Sequence, residues 1–189
     1  MPEIIVGPDA LARCGWVGDD AEYRRYHDEE WGRPLTDSRA LYEKICLEGF
    51  QAGLSWITIL RRRPAFREAF VGFDPERVAS FTEQDVERLL ADARIIRHRG
   101  KIEASISNAR ATLALEEPLT ELVWRYRPIE HRRPSSPREV PAVTPESTAL
   151  SAELRRRGFR FVGPTTMYAL MQSAGLVDDH LAGCHRASA

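Results

Sequence analysis

Long apolar runs are missing from this chain. The longest, such as Leu54–Leu60, fall far short of the ~20 residues a membrane-spanning helix requires. The first residues, Met-Pro-Glu-Ile-Ile-Val-Gly-Pro, lack the basic and then extended apolar regions of a secretory signal. A cytoplasmic protein is expected, nucleoid-associated if the source is a bacterium, with no membrane partner. Cysteine is scarce: Cys14, Cys46 and Cys184 are all there is. An odd, sparse count argues against a disulfide framework. In a reducing compartment, cysteines that share a chain with well-spaced histidines point to a metal instead. Net charge is close to nil, −1. Any polyanion must therefore be held by a local patch rather than by an overall basic field. Lysine is almost absent, with Lys44 and Lys101 the only two among 27 basic residues. Arginine is the better fork for phosphate oxygens, although an arginine-favouring genome accounts for the bias as a whole. No stretch alternates with period two, so no sheet is expected, and no repeat of 20–50 residues is present.

What is present is helical spacing. The 189 residues, 43% of them hydrophobic, suit one medium domain or two lobes sharing a core. Residues 1–12 carry no strong pattern and read as a short extension, with a single unit over 13–189. Asp37 or Ser38 can cap a helix through Leu41, Ile45, Cys46 and Leu47. Gly49 and Gly53 interrupt that pattern, and it resumes at Trp56, so Gln51–Ser55 reads as a loop between helices. Thr82 opens a short helix, and a further one covers 101–115. Residues 127–146, rich in Pro, Arg, Ser and Glu, read as an exposed connection. Ser147 or Thr148 then starts a helix that Gly158 stops, and another runs from Pro164 to Ala174. The fold class is mostly α.

The unit over about 148–175 is informative. Two helices flank the hairpin Gly158-Phe159-Arg160-Phe161-Val162-Gly163. Gly163 leaves backbone N–H groups bare at the positive end of a helix dipole, where a phosphate can sit. Arg155, Arg156, Arg157 and Arg160 lie on the approach, so these are the parts of a sequence-independent DNA clamp. An ordinary α-hairpin packing Phe159, Phe161 and Val162 into the core fits the same residues.

Two further groups carry chemistry. Cys14 and His27 lie near one end of the chain, and His180 and Cys184 near the other. A His and a Cys four residues apart can face one metal from a single helical turn. Together the pairs make a closed Cys2His2 set suited to one structural zinc, with no position left for an activated water. His185 is a weaker alternative to His180, because it is adjacent to Cys184. A buried Cys14 and a core His27 would account for the first pair without a metal. The second group is aromatic: Trp16, Tyr23, Tyr26, Trp31 and Trp56 fall near one acidic residue, Glu48, among apolar neighbours. Flat rings suit a flipped-out base, and a buried Glu needs donors that a purine edge can supply. Trp31 also suits a core anchor, and Glu48 also suits a partner for Arg61–Arg63.

At this point the residues resemble a known family. Arg13-Cys14-Gly15-Trp16, Tyr26-His27-Asp28-x-Glu30-Trp31-Gly32 and Cys46-Leu47-Glu48-Gly49-x-Gln51-Ala52-Gly53-Leu54-Ser55-Trp56-Ile57 resemble the DNA-3-methyladenine glycosylases I. So do Ile95-Ile96-Arg97-His98-Arg99-Gly100-Lys101-Ile102, Arg157-Gly158-Phe159-x-Phe161-Val162-Gly163 and Asp179-His180-x3-Cys184. The blocks keep the family's order and span roughly residues 13–184. The resemblance implies a helix–hairpin–helix glycosylase fold with zinc on Cys14, His27, His180 and Cys184 joining the N- and C-terminal segments. It implies a base pocket of Trp16, Tyr26, Glu48 and Trp56, with Tyr23 beside it. It also implies hydrolysis of the N-glycosidic bond of 3-methyladenine in double-stranded DNA. Gln51, Gly53 and Leu54 are placed to fill the gap in the duplex, with Leu54 as the apolar wedge; Gly163, Arg157 and Arg160 are candidates for the backbone. One pocket needs no symmetry and no obligate protein partner, so a monomer is expected. Related glycosylases place an Asp after the hairpin where this family commonly has Asn. Asp178 occupies that slot here and is a candidate to stabilise a developing oxocarbenium ion. A capping Asp beside a zinc ligand is the other reading.

Overall fold

The structure, a computed structural model, describes residues 3–187. Among these the chain is mostly helical, with helices α1 (Ala21–Glu29), α2 (Ser38–Gln51), α3 (Trp56–Ala69), α4 (Pro75–Ala79), α5 (Glu83–Ala91), α6 (Arg99–Leu113), α7 (Leu119–Trp124), α8 (Pro145–Arg156) and α9 (Pro164–Ser173). Strands β1 (Ile4–Val6) and β2 (Ala12–Cys14) pair antiparallel, Ile4 opposite Cys14. This corrects the expectation of no sheet and of a patternless extension. Three residues per strand are too few to show alternation, and the pairing is fixed by a turn over residues 7–11.

The hub is α2. Its side chains are buried almost continuously from Leu41 to Phe50, so it is packed on every side rather than on one stripe. Asp37 caps it, its carboxylate accepting from the Ala40 N–H; this is the first of the two expected caps. Gly49 does not interrupt the helix, which runs on to Gln51. α6 and α9 pack against α2, and α8 against α9. α8 starts at Pro145 behind Thr144, ahead of the expected Ser147. Thr144 and Ser147 bond reciprocally there, and Pro145 takes the first turn, where its missing N–H costs nothing. The connection over 127–146 is largely exposed, yet it straps back onto the C-terminal segment through His131 and Arg133.

Candidate active site

A cavity of about 300 Å³ opens between α1, α2, α3 and α9, lined by Trp16, Tyr23, Tyr26, Trp31, Glu48, Gln51, Trp56, Ala169, Gln172 and Ser173. That is the low end for ligand pockets, a size for one small heterocycle. Every aromatic residue expected at the base pocket lies on its wall. Tyr26 and Trp56 meet at 5.5 Å between ring centroids, and Trp16 stands edge-on to Tyr23 at 5.2 Å. The Tyr23 hydroxyl accepts from the Ile57 N–H at 3.1 Å, which fixes the first turn of α3 against α1.

Glu48 supplies the polar chemistry. It is 4% exposed. One carboxylate oxygen accepts from the Ser173 hydroxyl at 2.9 Å, and among the described residues nothing donates to the other. The arginines suggested as its partners are engaged elsewhere. Arg63 forks onto Glu30, Arg61 pairs with Asp20, and Arg62 binds the carbonyls of Ala93 and Arg94. Burial pushes the Glu48 carboxyl up to about 7, against the opposing pull of Lys44 and of the Ser173 hydrogen bond. Lys44 lies one helical turn before Glu48, its ammonium 5.1 Å from the Tyr26 ring centroid and 5.5 Å from that of Trp56. The site is thus an apolar slot with flat walls and one carboxylate short of a donor.

Trp31, Gln172 and Ser173 are pocket residues that sequence reasoning missed or placed in the core. Trp31 packs edge-on against Trp16 at 5.2 Å and His180 at 4.6 Å. Its four-residue spacing from His27 was the available signal. Ser173 comes from 125 positions away, and no local pattern marks it.

Behind Trp16 is a second cluster. Sγ of Cys14, Sγ of Cys184 and a nitrogen of His27 all lie within 4.8 Å of one another, and all three residues are buried. The Cys184 sulfur sits 3.4 Å from His27 Nε2. The neighbouring Cys14 thiol, with His27 assisting, holds the Cys184 thiol well below its ordinary range. His27 Nδ1 faces Asp28 at 2.7 Å. Arg13, pinned by Asp9, grips the same carboxylate. The residues read as an extension therefore brace His27 through Asp9, Arg13 and Asp28.

His180, the fourth expected ligand, lies outside that group of three, although its ring is held by a carboxylate as the His27 ring is. Its Nδ1 faces Asp178 at 2.8 Å, while its Nε2 is buried without a hydrogen-bond partner. Its ring centroid is 4.9 Å from that of His27. A side chain at Gly32, where φ is +76°, would strike the His180 ring, its Cβ coming within 2.7 Å of it. His185 instead faces the Ala12 carbonyl at 2.9 Å. Asp178 is occupied with His180 and Arg133 and does not line the aromatic cavity. That placement fits the reading of an Asp beside a candidate ligand.

The hairpin between α8 and α9 buries Phe159 and Val162 but leaves Phe161 38% exposed, with φ +56°. Gly163 caps α9 with no side-chain bond to its first N–H groups. Of the nearby arginines, Arg156 and Arg157 are tied to Glu153, and Arg157 also reaches Glu117. Arg155 lies against Gly163, its guanidinium 3.6 Å from where a Cβ would stand. Arg160 is exposed, and its backbone is held at both ends by Asn108. Leu54 stands 42% exposed at the mouth of the cavity's α2–α3 corner, with Gln51 on the wall and Gly53 between them.

Fold and cavity define a protein with a flat-walled apolar slot sized for one small ring, beside a helical hairpin whose Gly163 cap leaves N–H groups without a side-chain bond. The family described as methyladenine glycosylase matches residues 16–187, and the chain belongs to that family. It is 52% identical over 181 residues to DNA-3-methyladenine glycosylase 1 of Escherichia coli (strain K12), covering 92% of this chain and 96% of that protein. A crystal structure of 3-methyladenine DNA glycosylase I superimposes with a TM-score of 0.89 at 53% identity, covering 92% of this chain and 98% of the other. A variant of 3-methyladenine DNA glycosylase I, solved in complex with 3-methyladenine, gives 0.88 at 36% identity, covering 94% and 98%.

Proposed function

We propose that this chain is a DNA repair glycosylase that flips 3-methyladenine out of alkylated duplex DNA and hydrolyses its N-glycosidic bond, leaving an abasic site. The observation that carries this reading is Glu48, buried between aromatic walls with one oxygen lacking a donor. Methylation at N3 makes the base cationic within the nucleotide. When the bond to sugar breaks, its electron pair passes to the base and neutralises it, so the leaving group needs no acid. Water adds to the sugar carbon and gives up a proton. The protein's work is extrusion, selection and positioning. Trp56, with Trp16, stacks the base; Tyr26 and Tyr23 bound the slot; Glu48 accepts from the N–H edge of the lesion.

The duplex is met by two elements, the α2–α3 loop and the helix–hairpin–helix unit of α8 and α9. Leu54, between Gln51 and the turn at Gly53, is the apolar wedge that fills the vacated stack. The bare N–H groups behind Gly163 take a backbone phosphate, assisted by Arg155 rather than by Arg157, whose charge is already paired, while Arg160 is free to reach a neighbouring phosphate. Arg155→Gln is expected to reduce the salt slope of DNA binding by about one phosphate contact, measured by titration at several ionic strengths.

One structural zinc belongs on Cys14, His27, His180 and Cys184. The donor set fits: two sulfurs, the His27 imidazole with Nε2 on the Cys184 sulfur and Nδ1 held by Asp28, and the His180 imidazole with Nδ1 held by Asp178 and Nε2 buried without a partner. With four protein ligands its role is architectural. Asp178→Asn is expected to leave the single-turnover rate within about twofold while weakening zinc retention about tenfold. A large fall in rate at full zinc loading would instead put Asp178 in the chemistry. The enzyme works as a monomer in the cytoplasm, on nucleoid DNA, without an obligate partner.

A release assay on freshly alkylated duplex DNA, resolving the liberated bases, tests the reading. Release of 3-methyladenine is expected. DNA binding without release would make the chain a non-enzymatic module, and release of 3-methylguanine as well would widen its range.

A further inference from the structure

The Ile95–Ile102 block has no part in the pocket or in the Cys14–His27–Cys184 cluster, yet one of the chain's two lysines lies in it. Lys101 is 8% exposed. Its ammonium donates to the Phe50 carbonyl at 2.9 Å and the Ala52 carbonyl at 2.6 Å. These belong to the last turn and cap of α2, where carbonyls have no intrahelical donor, and a cation there also suits the helix dipole. The chain turns immediately afterwards: the Leu54 N–H reaches back to the Gln51 carbonyl at 2.6 Å, and Gly53 takes φ +83°, a value that favours glycine. Lys101 thus grips the stem from which Leu54 projects.

The same helix grips the hairpin. Asn108 donates to the Arg160 carbonyl at 3.1 Å and accepts from the Arg160 N–H at 2.7 Å. The Ser107 hydroxyl donates to the Gly158 carbonyl at 3.2 Å. At the other end of α6, His98 meets the exposed Phe161 ring edge-on at 6.3 Å. Lys101 and Asn108 are two helical turns apart, so they project from one face of α6 with about 10 Å between them. One rigid helix holds both the loop that enters the duplex and the hairpin that takes its backbone.

We propose that Lys101 is a positioning residue for the Gln51–Ser55 loop, and that α6 sets the register between that loop and the hairpin on DNA. This rests on the glycosylase reading. It separates two abilities that a pocket residue would lose together: extruding a base from duplex DNA, and binding the base once free.

Lys101→Met keeps the length of the stem and removes both hydrogen bonds. Single-turnover release from alkylated duplex is expected to fall about tenfold, as for loss of charge-assisted bonds, with the affinity for free 3-methyladenine within about twofold of wild type. Unchanged release would overturn the proposal. So would an equal loss of free-base binding, which would mark Lys101 as a support of the whole fold. If Lys101→Met does not fold, Lys101→Gln, which can still serve one carbonyl, must show the same split in smaller degree; no split overturns the proposal. Wild-type protein run alongside reports on the glycosylase reading itself: no release from it would overturn that reading and this one with it.

Discussion

Replacing Glu48 by glutamine is expected to lower release of 3-methyladenine by about a hundredfold and to stabilise the protein at alkaline pH. The two effects have one cause. Burial raises the Glu48 carboxyl to about 7, above the value near 4.5 it would have unfolded. Folding therefore favours the protonated form. Its contribution to stability is fully present below about pH 4.5 and is lost as pH rises through about 7, with a ceiling of about 3 kcal/mol. Glutamine does not ionise and escapes that loss, although Lys44 then loses a nearby anion and reduces the gain. The same carboxylate is the proposed acceptor for the lesion's N–H edge. An amide turned to avoid its own N–H group offers one oxygen and no charge, and a site built to pair buried donors discriminates strongly when the pairing fails. For wild type, release falls as pH drops through about 7 and the carboxylate is protonated; for the variant, that acid limb is absent. Melting curves and single-turnover rates at pH 5 and pH 8 check both halves. A variant less stable than wild type at pH 8 would contradict the assignment.

Stripping zinc is expected to be the other large perturbation. Cys14 and His27 are separated from His180 and Cys184 by most of the chain, so the proposed ion would close a long loop between the two ends, and its binding energy would be folding energy. Removal by a strong chelator is expected to lower the melting temperature by about 10 °C or more, with elemental analysis giving one zinc per chain beforehand. The loss should reach the pocket. Trp16 lies two residues after Cys14, and its ring is 5.4 Å from that of His27; Trp31 spans from Trp16 to His180. Free-base affinity should therefore fall with the metal and return with it. Cys46→Ser is the contrasting change. Cys46 is buried in α2 away from the cluster, and its loss should leave metal content untouched.

What the sequence made legible divides by range. Helix starts marked by local chemistry were readable: Asp37 before α2, Thr82 before α5, and the Gly158–Gly163 turn between α8 and α9. Glu48 stood out because a carboxylate among apolar neighbours demands a partner. Three of the four expected metal ligands, Cys14, His27 and Cys184, come together as their spacing suggested, with His180 outside the group. The bracing of His27 was not legible, because Asp28 and Arg13 act through side-chain contacts that no periodicity reports. The β1–β2 pair escaped notice for lack of length, and Ser173 because its role exists only once α9 packs on α2. The arginine run at the end of α8 looked uniformly available for DNA. Packing pairs Arg156 and Arg157 with Glu153 and leaves Arg155 at the hairpin, a distinction set by side-chain direction rather than by composition.

The claim at the centre is that the aromatic cavity holding Glu48 receives the lesion. A crystal structure with free 3-methyladenine bound tests it most directly. The base is expected with its face on Trp56, its N–H edge within hydrogen-bond distance of the Glu48 oxygen that Ser173 does not occupy, and Tyr26 at its side. A base bound elsewhere, or in the cavity with its N–H edge turned away from Glu48, would contradict it.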